Sequence, residues 1–130
     1  MANPISQNLV TGTVGELLVQ LRLLQYGVQA APPLKDSGND LIALKGYVVR
    51  TIQVKTSANR FPKIQNLPER YHLLALVKLT GHDETLLLDN SQIYLVPKVD
   101  VPTLSRTDDG LAPYLLTSQH VESLFSHVNL

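Results

Sequence analysis

Three short stretches of this 130-residue chain carry side chains that could work on one substrate: Gly15-Glu16, Gly38-Asn39-Asp40 and Gln53-Val54-Lys55. Glu16 and Asp40 are carboxylates, Gln53 offers a neutral amide oxygen, and Lys55 a positive charge. Hydrolysis of a phosphodiester asks for such a set. A divalent cation must offset the charge on the phosphate, and a water must be made nucleophilic and presented in line. Asp40 is the natural primary ligand, to which Gln53 and the Val54 carbonyl can add neutral oxygens. Glu16 would complete the site or hold a second ion, and Lys55 would orient the water or stabilise the developing charge.

These residues are far apart along the chain, so the elements around them must bring them together. Thr13-Val14-Gly15-Glu16 opens a segment in which Val14, Leu17, Leu18, Leu21 and Leu24 recur at three- and four-residue steps. This is the stripe of an amphipathic helix over 14–25, ended by Gly27. Residues 28–31 read as a short strand, and Pro32-Pro33 forces an extended path into a turn over 35–39. Residues 40–44 and 47–55 then read as two strands joined at Lys45-Gly46 and paired back to back. Side chains alternate along a strand, so Gln53 and Lys55 share one face while Ile52 and Val54 share the other. In such a hairpin the start of the strand that follows Asp40 lies beside the end of the strand that carries Lys55.

Residues 56–70 are polar, carry Pro62 and Pro68, and read as a loop with a helical turn within 64–70. Residues 71–79 form an apolar run fit for a central strand, while 85–88 and 92–96 read as two more strands around Asp89-Asn90-Ser91. An irregular excursion over 99–113 precedes a last helix over 118–128, capped by Thr117 or Ser118, with Val121, Leu124, Phe125 and Val128 on one side. The expected class is α/β: one domain with a mixed central sheet of about five or six strands flanked by helices.

Composition narrows the function. The chain has no cysteine, which excludes disulfides, thiolate metal sites and cysteine nucleophiles and fits a reducing compartment. The longest apolar run, 73–77, is too short to span a bilayer, and Met1-Ala2-Asn3-Pro4-Ile5-Ser6 has neither the basic start nor the apolar run of a signal peptide. A cytoplasmic protein with no membrane partner is expected. The formal charge is zero, but residues 1–78 hold nine Lys and Arg against four acids, and residues 79–130 two against seven. One half can therefore face a polyanion. Arg60 and Lys63, just past Lys55 in the polar loop of that half, are the expected contacts to a DNA backbone. The histidines make no rival site: His120 and His127 are two helical turns apart, His72 falls in the apolar strand and His82 in a loop.

Residues 12–57 resemble the core of the PD-(D/E)xK nuclease superfamily, and in pattern stand closest to endonucleases encoded in group I introns and to archaeal Holliday-junction resolvases. Ile52-Gln53-Val54-Lys55-Thr56 carries the end of the motif. The resemblance implies a restriction-endonuclease-like fold, a magnesium-dependent endodeoxyribonuclease in which manganese can substitute, 5′-phosphate ends, and Glu16, Asp40 and Lys55 as the catalytic positions. Cutting both strands of a duplex or a junction would take two sites, hence a homodimer or a higher homo-oligomer. Two positions depart from the pattern: Asn39 replaces the proline, and Gln53 the usual acid. The second removes a charge from the metal site, and magnesium often manages with one or two carboxylates.

Other readings of the same residues stand beside this one. Thr13-x-x-Glu16 is also a capping box, Asp40 can belong to turn chemistry, and Gln53 with Lys55 can be a solvated strand face. At the level of function, the alternatives are a nuclease-fold subunit that binds DNA or assembles without cutting, and a small interaction domain whose acidic half takes a basic partner.

Overall fold

A computed structural model describes residues 5–35 and 38–126 of the chain. Helix α1 (Gln7–Gln25) begins at Gln7 rather than near Val14, because Ser6 caps it: the Ser6 hydroxyl accepts the Leu9 N–H at 3.2 Å. Thr13 lies inside the helix, so Thr13 and Glu16 form no capping box, and Glu16 is not engaged in closing a helix terminus. The C-terminal end is a Schellman closure in which the Val28 and Gly27 N–H groups return to the carbonyls of Leu23 and Leu24. Gly27 supplies the positive φ of 79° that this turn requires.

Five strands follow: β1 (Gln29–Ala31), β2 (Leu41–Lys45), β3 (Val48–Ala58), β4 (Leu73–Leu79) and β5 (Gln92–Pro97), which lie side by side in that order. All neighbours are antiparallel except β3 and β4, which run parallel. The α/β class and the mixed sheet expected from the pattern are those found. β2 and β3 meet through Gly46-Tyr47, with φ of 61° at the glycine, the pattern of a type II′ hairpin turn. The length of β3 matters most for the site. Its first half pairs with β2, its second half pairs with β4, and the two registers overlap only at Ile52. Beyond Ile52 no strand among the described residues lies beside the β2-facing edge of β3.

α1 covers one face of the sheet, where Leu18, Val19 and Leu23 pack with Leu41, Ile52 and Val54. Helix α3 (Ser118–Leu124), capped by Thr117, adds Val121 and Leu124 to the same layer. On the opposite face Leu74, Leu76, Tyr94 and Val96 form a second core beneath Phe61 and Leu111. This cover does not reach β2, whose Ile42 and Leu44 remain exposed.

Several elements differ from expectation, each for a physical reason. Residues 85–88 form no strand but two 3-10 turns, Asp83–Thr85 and Leu88–Asn90. β4 is already paired on both edges, and the Leu87 N–H and Ser91 Oγ fold this segment back onto Thr80. Residues 64–70 hold no helical turn; Asn66 sits at φ 56° and Pro68 lacks the N–H a turn would use. β3 runs on through Thr56, Ser57 and Ala58, which read as loop because they open a largely polar stretch, while β4 satisfies their backbone. His72 precedes β4 and is exposed, and its Nδ1 accepts the Thr51 N–H at 2.9 Å. α3 stops at Leu124, where the buried Arg50 guanidinium donates to the Leu124 and Ser126 carbonyls. His127 and Val128, residues 1–4, and Asp36-Ser37 of the expected turn lie outside the described residues.

α1 approaches β3 closely at one point. Gly15 rests on Thr56, and a Cβ at residue 15 would overlap the Thr56 side chain, whereas one at Gly12 would meet nothing within 4 Å. Helix propensity alone favours alanine at both positions by up to about 1 kcal/mol. Gly12→Ala should therefore raise the urea midpoint, while Gly15→Ala should lower stability by about 1–3 kcal/mol, the usual cost of overpacking. In a Thr56→Gly background the Gly15→Ala penalty should vanish. Equal behaviour of the two alanine variants in urea unfolding would show that the close approach does not exist.

Candidate functional site

The fork where β3 leaves β2 is closed by Asp40, the residue immediately before β2. Its N–H donates to the Ile52 carbonyl at 3.1 Å, and its carboxylate Oδ2 accepts the Val54 N–H at 2.8 Å. The side chain thus takes the place of the missing strand at Val54, and the two bonds bracket Gln53. In an extended strand the N–H and C=O of one residue point to the same edge, so the Val54 carbonyl is also directed into the fork.

Glu16 reaches this point from α1. Its pKa is raised above the ordinary glutamate value, first by burial and then by the nearby Asp40 carboxylate, through its charge and a side-chain hydrogen bond. Two acids from separate elements are thus brought close together, and each disfavours the charge of the other. A divalent cation relieves such a pair, because opposite charge favours both ionised forms.

Gln53 supplies the third feature. It is 9% exposed, and its Oε1 is buried with no hydrogen-bond partner among the described residues. An orphaned buried acceptor costs on the order of 1–3 kcal/mol, so its retention calls for a ligand or a role. Lys55 lies two residues on, at the same strand parity and half-buried, and Gln53 and Lys55 stand in register with Leu74 and Leu76 of β4. Among the described residues no cluster of three His, Cys, Asp or Glu exists. Any ion at the fork would meet the two carboxylates and the Val54 carbonyl, and the Gln53 amide could join only if its side chain turned toward the fork. An all-oxygen set of this kind fits a hard cation such as magnesium.

The structure thus brings Glu16, Asp40 and the Val54 backbone together; Gln53 and Lys55 flank Val54 on β3, in register with Leu74 and Leu76 of the second core. Arg60 and Lys63 lie in a cleft of about 430 Å³ that Lys55 also lines. Sequence reasoning missed one member of this cleft, Arg106, which arrives from the segment after β5 and donates through Nη1 to the Pro62 carbonyl at 3.0 Å. No local signal marks it, since it stands in the acid-rich half of the chain. Thr56 lies between the cleft and the helix, its buried hydroxyl against Gly15.

No family model matches the chain, and no curated protein does. Among solved structures it is similar to that of a bacterial homing endonuclease, I-Ssp6803I, with 20% identity over 74% of this chain and 67% of that chain and a TM-score of 0.47. No helix among the described residues is long and apolar enough to cross a membrane.

The acid pair has a consequence for stability. A carboxyl whose pKa is raised by folding adds stability below its unfolded pKa, and that contribution is lost as pH rises through the folded pKa. In chelator, stability should fall as pH climbs from about 4.5 toward neutrality through the Glu16 titration. Glu16→Gln keeps a hydrogen-bond donor for Asp40 and removes the like charge, so this decline should flatten. Its urea midpoint at neutral pH should equal or exceed that of the parent, and a clearly lower midpoint would show that the carboxylates do not oppose each other.

Proposed function

We propose that this chain is a divalent-metal-dependent endodeoxyribonuclease that cuts a phosphodiester at the fork between β2 and β3. The observation that carries the reading is the meeting of Glu16 with Asp40, while Asp40 is itself pinned to the Val54 N–H. Asp40, Glu16, Gln53 and the Val54 carbonyl would hold the ion, magnesium or manganese in its place, which when bound supplies Lewis acidity and offsets phosphate charge.

The protein's own groups do the rest. One Asp40 oxygen is fixed by the backbone of β3, so its carboxylate keeps one orientation without help from substrate. Lys55 stands on the same strand, in a rigid element, and orients the attacking water or stabilises charge on the phosphate oxygens. With Gln53 neutral, the protein provides two negative charges at most. Metal affinity should therefore be modest until a phosphate adds its own oxygen. A duplex cut on both strands takes two such sites, which favours a homodimer or higher assembly. DNA as the substrate and 5′-phosphate ends follow from the resemblance of residues 12–57. Gln53 in place of an acid favours one competing reading, a fold that binds DNA and does not cut it.

Supercoiled plasmid and branched DNA separate the two. The parent should cut with magnesium or manganese and not in chelator. Lys55→Ala should slow cutting by about 10²-fold or more while leaving manganese binding intact. Asp40→Asn, which keeps an acceptor for the Val54 N–H, should lose both cutting and manganese binding. DNA binding without cutting in either metal would establish the competing reading, and undiminished cutting by both variants would place the chemistry elsewhere.

A further inference from the structure

We propose that the cleft beyond Lys55 is the track for the DNA strand flanking the cleaved bond, with Arg106 as a phosphate-binding residue in it. The identity of the ligand rests on the endonuclease reading; the existence of an anion track rests on the cleft itself. Four of the chain's eleven Lys and Arg side chains line it, namely Lys55, Arg60, Lys63 and Arg106, and no acid among the described residues does. The formal charge of the chain is zero, so everything outside the cleft carries a net charge of four negative.

Packing does not account for this grouping. Like charges gathered in one concavity repel, and none of the four is ion-paired to an acid among the described residues, where the one salt bridge joins Lys45 to Glu122. A concave, single-sign surface focuses potential and concentrates a polyanion. The remaining lining suits a sugar-phosphate chain as well: the Ser57 hydroxyl and the Gln65 and Asn66 amides offer hydrogen bonds beside the charges. Lys55 belongs both to this cleft and to the strand that carries Gln53, so a strand lying in the cleft leads directly to the fork.

Arg106 is the most informative member. It comes from a different part of the chain than the other three and crosses to the loop that carries Arg60 and Lys63, where Nη1 binds the Pro62 carbonyl. That bond fixes the plane of the guanidinium and uses one of its five donors. The others can take a phosphate in the paired geometry that lysine lacks.

The test is binding of a short fluorescent DNA duplex in chelator, by anisotropy across a salt series, for the parent, Arg106→Ala and Arg106→Lys. If Arg106 meets a phosphate, alanine makes the plot of log affinity against log salt shallower by about one unit, and weakens unrelated sequences equally. Lysine restores the slope. If Arg106 only ties the loop down, alanine lowers the melting temperature and leaves the salt slope unchanged, and the proposal is overturned. Absence of duplex binding by the parent overturns it as well. Binding with the expected slope change but no cutting in magnesium or manganese removes the endonuclease reading and leaves the track, whereas cutting by a parent whose alanine variant keeps its slope removes the track alone.

Discussion

The hydrogen bond from the Val54 N–H to the Asp40 carboxylate is the contact on which the rest depends. It exists because β3 outlasts β2. Eleven residues of β3 face five of β2 on one side and seven of β4 on the other. A strand edge that loses its partner part-way along must satisfy its backbone groups in another way. Had β2 begun two residues earlier, a backbone carbonyl would take the Val54 N–H and the carboxylate would have no reason to lie in the fork. A carboxylate suits the position because it can accept one backbone bond and retain lone pairs for a cation.

The helix supplies the second half of the site by the same economy of packing. Gly15 lets α1 settle on Thr56, and the residue that follows is delivered to Asp40. What results is unfavourable in itself: two acids close together and, on the same strand end, a buried Gln53 amide oxygen without a partner among the described residues. The surrounding layer tolerates it, since Leu18, Val19, Leu41, Ile52 and Val54 form a continuous core under α1. Local features that oppose stability within an otherwise consistent fold tend to mark functional ground. Here two such features fall within a few residues of one strand end.

Much of this was legible in the sequence, where the signal was periodic. The alternation through Ile52-Gln53-Val54-Lys55 gave the faces correctly, and the leucine spacing located most of α1. The helix start was not legible, because residues 7–13 carry little apolar periodicity and the deciding residue, Ser6, lies upstream of the stripe. The segment Leu86-Leu87-Leu88 has the composition of a strand, but strand formation needs a free edge, and β3 and β5 had taken both edges of β4. Thr56 and Ser57 looked like loop since nothing in their side chains reports that β4 pairs with their backbone. Arg106 was beyond reach for a different reason: its place beside Lys63 is set by tertiary packing across the second core, which no local pattern encodes.

The acid fork and the basic cleft make sense only together. On the proposed endonuclease reading, carboxylates at the fork repel a phosphate, so without a cation the field there would oppose a DNA strand, while the cleft would attract it from beyond Lys55. A cation at the fork reverses the sign of the first interaction and leaves the second unchanged. Lys55 is the group shared by both, and its position on β3 is fixed by the same pairing with β4 that carries the strand past the end of β2. The mismatch in strand length therefore does two things: it frees the edge that Asp40 occupies, and it extends the platform that carries Lys55 into the basic cleft proposed to hold a phosphate chain.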